Sequence, residues 1–518
     1  MKIGSINRRT LAQIVLLAWA GSLAWLARRE FGKDESETIA EATVRLSPEA
    51  HFYAVKAGGS QIGYASVTID TMPTGFRLSE VMALDVPEAD STRRVTRRTE
   101  LVLTRSLRLR SFVRTVTGGG LFEEFAGTIE GDSLLRMSER DSRDHAAEEW
   151  TVRIAGDVVL PEVLPYRLAF GKRLEVGRTV TASVLDLSTG TIGRVEFAAT
   201  AESTFVVADS AIEQRTTRLW RPVSYDTVKA WRIEHAAIGS PVVNWVDQNG
   251  GLVFTEAALG VRLERSAFEL VSFNYRVALD RNGPDGHRTV PGMTSVVGAG
   301  LRPDTGRAAS FRIESAPVER FLLPRVAWLA GGRQATAGEV VRVGESSRER
   351  VDSGKTGFLD PSEALRPVGP AVAAVARSAA DSAAPAAMVA RALVDWVHRS
   401  IRRDTAGGAA RLPARVLAEG RAGPEGMVGL FVDLARARGL RARTVSGVLI
   451  ADGRGYGHVW AEIMVDGGWV AVDPTFGQMP ASPALVRTMI GGSSRAIDLV
   501  PILGAASFAP AETVTRTP

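Results

Sequence analysis

"RAGPEGMVGLFVDLARARGL" runs from Arg421 to Leu440. Met427, Leu430, Phe431, Leu434 and Ala435 fall at i, i+3, i+4, i+7 and i+8, the stripe of an amphipathic helix facing a core. Its start is well built. Gly423 suits the N-cap, and Pro424 suits the first helical position, where a missing N–H costs nothing and φ is already helical. Glu425 places a carboxylate near the positive end of the helix dipole. Downstream, "LRARTVSGVLIAD", "YGHVWAEIMVD" and "GWVAVDPTFG" read as three strands. Upstream, "AVAAVARSAADSAAPAAMVARALVDWVHRSIRRD" reads as two helices divided near Ser382 to Pro385, with Val389, Leu393, Trp396 and Val397 on one face. Helices first and strands afterwards predict an α+β domain over 360–480, with 481–518 as a C-terminal tail.

Further upstream the pattern is β. "HFYAVKAGGSQIGYASVTID" alternates, with a turn at Gly58-Gly59 between two strands. "RRTELVLTRSLRLRSFVRTV", "RVEFAATAESTFVVAD" and "VRLERSAFELVSF" continue the alternation. Residues 40–280 are expected to form a large antiparallel β-rich region, curved or folded over on itself. It is one unit or two, with "LDLSTGTIG" near Leu185 as a boundary in the second case. A Gly/Pro-rich linker is expected over 281–308, and a small β-containing segment over 309–355.

The N-terminus starts with a basic segment, 1–9. Leu11 to Ala27 is apolar except for Gln13, Gly21 and Ser22. That length is near the lower limit of about 17–20 residues for crossing a bilayer. Trp19 and Trp25 suit interfacial positions, and Arg28-Arg29 closes the run. Residues 10–28 are therefore expected to be a transmembrane signal anchor. Lys2, Arg8 and Arg9 keep the N-terminus in the cytoplasm, so the bulk lies on the periplasmic side. "AWA" at Ala18 to Ala20 offers the alternative of cleavage and secretion. The uncleaved anchor is preferred because the apolar run continues past that site.

Composition narrows the chemistry. The formal net charge is +5 over 518 residues, and no run of five cations occurs, which argues against nucleic acid as a partner. The chain has no cysteine, so disulfides, thiolate metal sites and cysteine nucleophiles are excluded. His51, His145, His235, His287 and His398 are isolated, with no paired spacing, so no metal and no cofactor is expected. "GDSL" at Gly131 to Leu134 sits in a turn between expected strands, the wrong setting for a serine-esterase motif.

With these pieces in view, the stretch from about Met388 to Gln478 resembles the bacterial transglutaminase-like domain, which has a papain-like fold. The matching pieces are "DWVHRSIRRD", "ARVLAEGRAG", "GLFVDLARARGLRARTVSGVLI" and "GHVWAEIMVDGGWVAVDPTFGQ". The last, H-x-W-x-E followed by W-V-x-V-D-P-T, is the most specific. The resemblance implies helices packed on an antiparallel sheet and a Cys-His-Asp triad for acyl transfer. Carried over residue by residue, the histidine is His458 and the aspartate is Asp473. Counting back from Phe431 without gaps puts the nucleophile position at Pro424, with Gly423 and Gly426 at its flanking acidic positions.

The register of the last hairpin decides whether the two retained residues can meet. A two-residue turn at Gly467-Gly468 sets Glu462 opposite Asp473. A four-residue loop, Val465 to Gly468, sets Asp473 opposite Trp460 and makes His458 its diagonal neighbour. The resemblance predicts the second arrangement or a bulge. Trp460 and Trp469 lie in alternating strands and read as core.

The expected function is that of a transglutaminase-like protein of the bacterial envelope, a pseudoenzyme that binds a peptide or envelope ligand or acts as a scaffold. His458, Trp460, Glu462, Asp473 and Glu425 are the candidate ligand-binding residues. One alternative is a non-thiol amide or ester hydrolase using His458 with Glu425 and water. The other is a structural envelope protein whose β-rich part is the functional surface.

Overall fold

The computed structural model describes residues 46–57, 60–87, 92–118, 120–131, 133–142, 145–171, 173–187, 190–235, 242–257, 262–282, 293–294, 309–315, 333–337, 340–344, 366–381, 383–404, 411–451, 454–491 and 506–510, with 19, 39, 40 and 43 as single or paired positions. The anchor expected over 10–28 lies outside them apart from Trp19. Among the described residues no helix is long and apolar enough to cross a membrane.

The β-rich region forms a single fifteen-stranded sheet. From Glu49–Ala57 the chain meanders outward through seven further strands to Glu148–Arg153. It then passes to the opposite edge of the sheet at Val158–Val159, and a crossover through the helix Leu164–Gly171 leads to the parallel neighbour Thr179–Asp186, from which the chain returns strand by strand. The last strand, Arg262–Ser266, pairs antiparallel with the first, Phe52 facing Ser266. The two wings therefore meet at the middle of the sheet. The boundary weighed near Leu185 is instead a hairpin within one sheet, joining Thr179–Asp186 to Thr191–Glu213.

Alternation makes each wing apolar on one face, and the sheet curls until those faces meet. Leu78, Leu101, Phe112 and Leu135 from the first wing share one buried cluster with Val184, Phe197 and Trp231 from the second. Leu160, Val163, Leu164 and Leu168 of the crossover fill the space between. Burying one such side chain contributes about 1.5–3 kcal/mol, so this cluster is a full domain core.

The C-terminal part places helices Pro370–Ala379, Ala386–Ser400, Pro413–Glu419 and Pro424–Ala437 beside an antiparallel sheet. The last of these is the central helix. Gly423 is its N-cap and Pro424 lies at its first turn, as the sequence predicts. A Schellman-type end closes it: Gly439 has φ +73, and the Gly439 and Leu440 N–H groups bond Arg436 O and Ala435 O. Met427, Leu430, Phe431, Leu434 and Ala435 are all buried. They pack on Val459, Ala461 and Ile463 of the strand Arg454–Val465, which carries the histidine.

Two expectations change here. The stretch 481–518 is not simply a tail. Leu485–Ile490 pairs with Ala442–Ala451 inside this sheet, and Ala506–Pro510 pairs with Ala309–Ser315 in a separate four-stranded sheet. Within 281–308, the pair Met293–Thr294 adds a parallel edge beside Gly455 and Tyr456, so the linker is not wholly outside the domain.

The two large units are fused. The face of the C-terminal sheet turned away from the central helix contributes Val445, Leu449, Trp460 and Leu485 to one buried cluster. Tyr53, Val55, Met82, Leu84 and Val116 of the fifteen-stranded sheet belong to that same cluster. A polar seam runs beside it. Asp141 accepts the N–H groups of Arg411 and Leu412, the Arg411 guanidinium pairs with Glu123, and Arg366 lies 3.7 Å from Glu139.

Candidate functional site

The hairpin after the central helix sets the site. Val465 faces Gly468 and Ala461 faces Val472, so the register places Asp473 opposite Trp460. That is the register of the longer-loop expectation, reached by a two-residue turn at Asp466 and Gly467. Both have positive φ, +50 and +80, as a type I′ turn demands. His458 and Asp473 are thus diagonal neighbours on one face.

They are bonded. His458 Nε2 lies 2.8 Å from Asp473 Oδ2, and both side chains are wholly shielded from solvent. Asp473 Oδ1 accepts the N–H groups of Thr475 at 2.9 Å and Phe476 at 3.3 Å. The aspartate therefore organises the turn that follows it as well as the imidazole. His458 is walled in by rings: Trp460 stacks at 6.4 Å and Phe476 lies at 5.3 Å, between centroids. Arg403 sits over the outer face of Phe476. His458 Nδ1, Trp460 Nε1 and Thr475 Oγ1 are buried without a hydrogen-bond partner.

The other sequence candidates separate from this pair. Glu462 is 3% exposed and is held by Arg443 at 2.6 Å and Arg487 at 3.0 Å. Burial pushes its carboxyl up, but the Arg487 and Arg443 guanidiniums more than reverse this and hold it at about 2. It is an ion-paired strut whose oxygens are already engaged. Trp460 is 1% exposed, and Trp469 is buried under the Arg443 guanidinium. Glu425 lies in the first turn of the central helix, 3.7 Å from Arg411, and so belongs to the seam with the β-rich sheet. Pro424 at the first turn leaves that helix start with no nucleophilic side chain of its own.

Sequence reasoning missed Arg443, Arg487, Thr475 and Phe476. Arg443 had a signal: it faces Glu462 across the hairpin that "DGRGYG" turns. Arg487 had none, because its strand lay in the presumed tail. A cavity of about 740 Å³ occurs elsewhere, in the β-rich sheet, lined by Val102, Arg108, Arg110, Thr128 and Asp157 among others. Among the described residues no group of three or more His, Asp or Glu is placed to hold a metal.

Residues 373–474 match the family model of the transglutaminase-like superfamily. This part of the chain is a transglutaminase-like domain. No curated protein matches the chain. Among solved structures, the chain is similar to a beta-barrel-like protein of a domain of unknown function from Brucella abortus. Identity there is 11% over 43% of this chain and 96% of that one, with a TM-score of 0.29. It is also similar to a protein provisionally described as a cysteine protease from Cytophaga hutchinsonii, 15% identical over 41% of this chain and 78% of that one, TM-score 0.23. A third likeness is to a provisionally described protease from Parabacteroides distasonis, 10% identical over 81% and 65%, TM-score 0.19. At these scores the structures are likenesses only, and the assignment rests on the family model.

Proposed function

We propose that this chain is a transglutaminase-like pseudoenzyme that works as a scaffold. One observation carries the reading: His458 and Asp473 are bonded to each other and fully shielded, in a chain with no cysteine. Acyl transfer by this type of fold needs a nucleophile beside the base and an approach for substrate. Pro424 supplies no nucleophile, and Phe476 and Trp460 occupy the approach to the imidazole. The retained pair ties the strand to the following turn. The hydrolase alternative is weakened by the pairing of Glu425 with Arg411 and the sealing of His458. The apolar run at 10–28 supports a placement on the extracytoplasmic side of a membrane.

The test is an amide- and ester-hydrolysis assay, with a transamidation assay, on the full chain and on His458→Ala. The expected result is no turnover above the buffer rate in either. Turnover that His458→Ala abolishes would overturn the scaffold reading in favour of a non-thiol hydrolase.

A further inference from the structure

The strand Thr92–Thr104 turns into Leu109–Gly118 through a connection that departs from the simplest geometry at two places. Leu107 stands at φ +56 with its side chain fully buried, in a backbone region where glycine is the usual residue. Just beyond it the register shifts. Leu103 faces Leu109 but Val102 faces Ser111, so Arg110 is an extra residue with no place in the ladder.

Hydrogen bonds hold this conformation. The Thr104 N–H donates to Arg108 O at 2.9 Å, and the Arg108 N–H donates to Thr104 Oγ1 at 3.1 Å. Thr43 Oγ1 donates to Arg105 O at 2.6 Å. Leu107 packs in the core of the β-rich sheet, which offsets its strain and pins the turn. Bulges and strained backbone kept in place by packing concentrate at binding sites.

This turn forms one wall of the cavity of about 740 Å³, a volume within the range of small-molecule sites. Gly131, before Leu134–Arg140, and Gly156, before Val158–Val159, line it as well. Both have positive φ and open space where a Cβ would stand. Leu109 and Ile154 are buried at the base, while Arg108, Arg110 and Thr128 are exposed at the mouth.

The lining is cationic and rich in hydroxyls. Thr104, Ser106, Ser111 and Thr128 all reach the cavity, and Ser111 faces Thr128 across the strands. Arg108 and Arg110 bring two guanidiniums against one lining carboxylate, Asp157, which Arg167 also pairs. Arg108 lies 3.9 Å from Asp157, and Arg110 donates to Thr74 Oγ1 at 3.3 Å. Positive charge is therefore in excess, and the guanidinium fork fits a carboxylate or a phosphate. Hydroxyl groups beside Asp157 offer both donors and acceptors to a polyhydroxylated body. Among the described residues no aromatic ring lines the cavity, so a flat base has nothing to stack on.

We propose that this cavity binds an anionic saccharide, with its carboxylate or phosphate on Arg108 and Arg110 and its hydroxyls among Ser111, Thr128 and Asp157. None of these residues belongs to the C-terminal domain, so the proposal stands apart from the scaffold reading.

Titration calorimetry on the full chain tests it. Trigalacturonate and glucose 6-phosphate are the anionic probes, and maltotriose is the neutral one. The expected result is saturable binding of at least one anionic probe below about 5 mM, and none of maltotriose. Binding of trigalacturonate alone identifies a sugar acid as the ligand class, and of glucose 6-phosphate alone a sugar phosphate. Arg108→Gln and Arg110→Gln are each expected to weaken binding about 10-fold. Thr128→Tyr leaves both guanidiniums in place and reads the site by volume alone; it is expected to abolish binding. Arg221→Gln, an exposed arginine outside the cavity, is expected to change nothing. No binding of either anionic probe overturns the proposal, and so does maltotriose binding equally well. Inorganic phosphate binding as tightly as the sugars overturns it, because the saccharide body then contributes nothing. Unchanged affinity in Thr128→Tyr, or an equal loss in Arg221→Gln, overturns the placement in this cavity.

Discussion

Asp473 does three things with two oxygens. Oδ2 holds His458 Nε2, and Oδ1 holds the N–H groups of Thr475 and Phe476. In a fully shielded site, removing one partner leaves the others stranded, and such losses are large. Asp473→Ala is expected to lower the unfolding free energy by about 3–5 kcal/mol. Asp473→Asn keeps an oxygen for the two backbone donors and is expected to cost about 1–2 kcal/mol. Urea denaturation measures both. Equal losses for the two variants would show that the turn contributes nothing. The residue pair itself was legible from H-x-W-x-E and the D-P-T that follows. Its burial was not, because Phe476 and Trp460 close over His458 only once the hairpin register is set.

At the scale of elements, two glycines in the same sheet do different jobs. Gly467 sits in the hairpin turn at φ +80 with open space around it. Gly467→Ala is strained only by its backbone, about 1 kcal/mol. Gly447 faces His458 across the hairpin, in a strand flanked on both sides. A Cβ there would lie 2.0 Å from Val486 O and 2.8 Å from the Trp460 ring. Backbone cannot yield as a side chain can, so Gly447→Ala is expected to cost about 3 kcal/mol. Thermal denaturation of the two variants ranks them, and the reverse order would contradict this packing. Periodicity revealed the central helix because five apolar residues repeat at helical spacing and all face one core. It could not reveal that Leu485–Ile490 completes the sheet: a strand's partner is chosen in space, and a tail and an edge strand look alike locally.

At the scale of the molecule, the β-rich sheet and the transglutaminase-like domain share a core and a polar seam. The seam has more carboxylates than guanidiniums. Glu139 meets Arg366, but Glu123, Glu148 and Asp433 also face it, and burial above all pushes its carboxyl up to about 7. A carboxyl raised in the folded state binds its proton more tightly there than in the unfolded chain. Its contribution to stability is full below about pH 4.5 and is lost as pH rises through 7. The side chain keeps 21% of its surface exposed, which trims the effect. From pH 5 to 8 the protein is expected to lose about 2 kcal/mol through this group. Glu139→Gln should flatten that part of the pH profile in denaturant titrations. An unchanged profile would mean that the seam does not titrate as a unit with folding.

The sequence alone determined the β-then-α+β order of the chain, the central helix with its proline start, the type of the C-terminal domain, and the impossibility of thiol chemistry. The domain type follows from the resemblance of its motifs to a known family, and the rest from local periodicity, capping and composition, which need no knowledge of partners. The tertiary structure decided that fifteen strands make one curled sheet, that the domains fuse through a common core, and that His458 is sealed. It also put arginines 19 and 25 positions from Glu462 around that carboxylate. Burial and charge pairing depend on which distant segments meet, and no local pattern carries that distance.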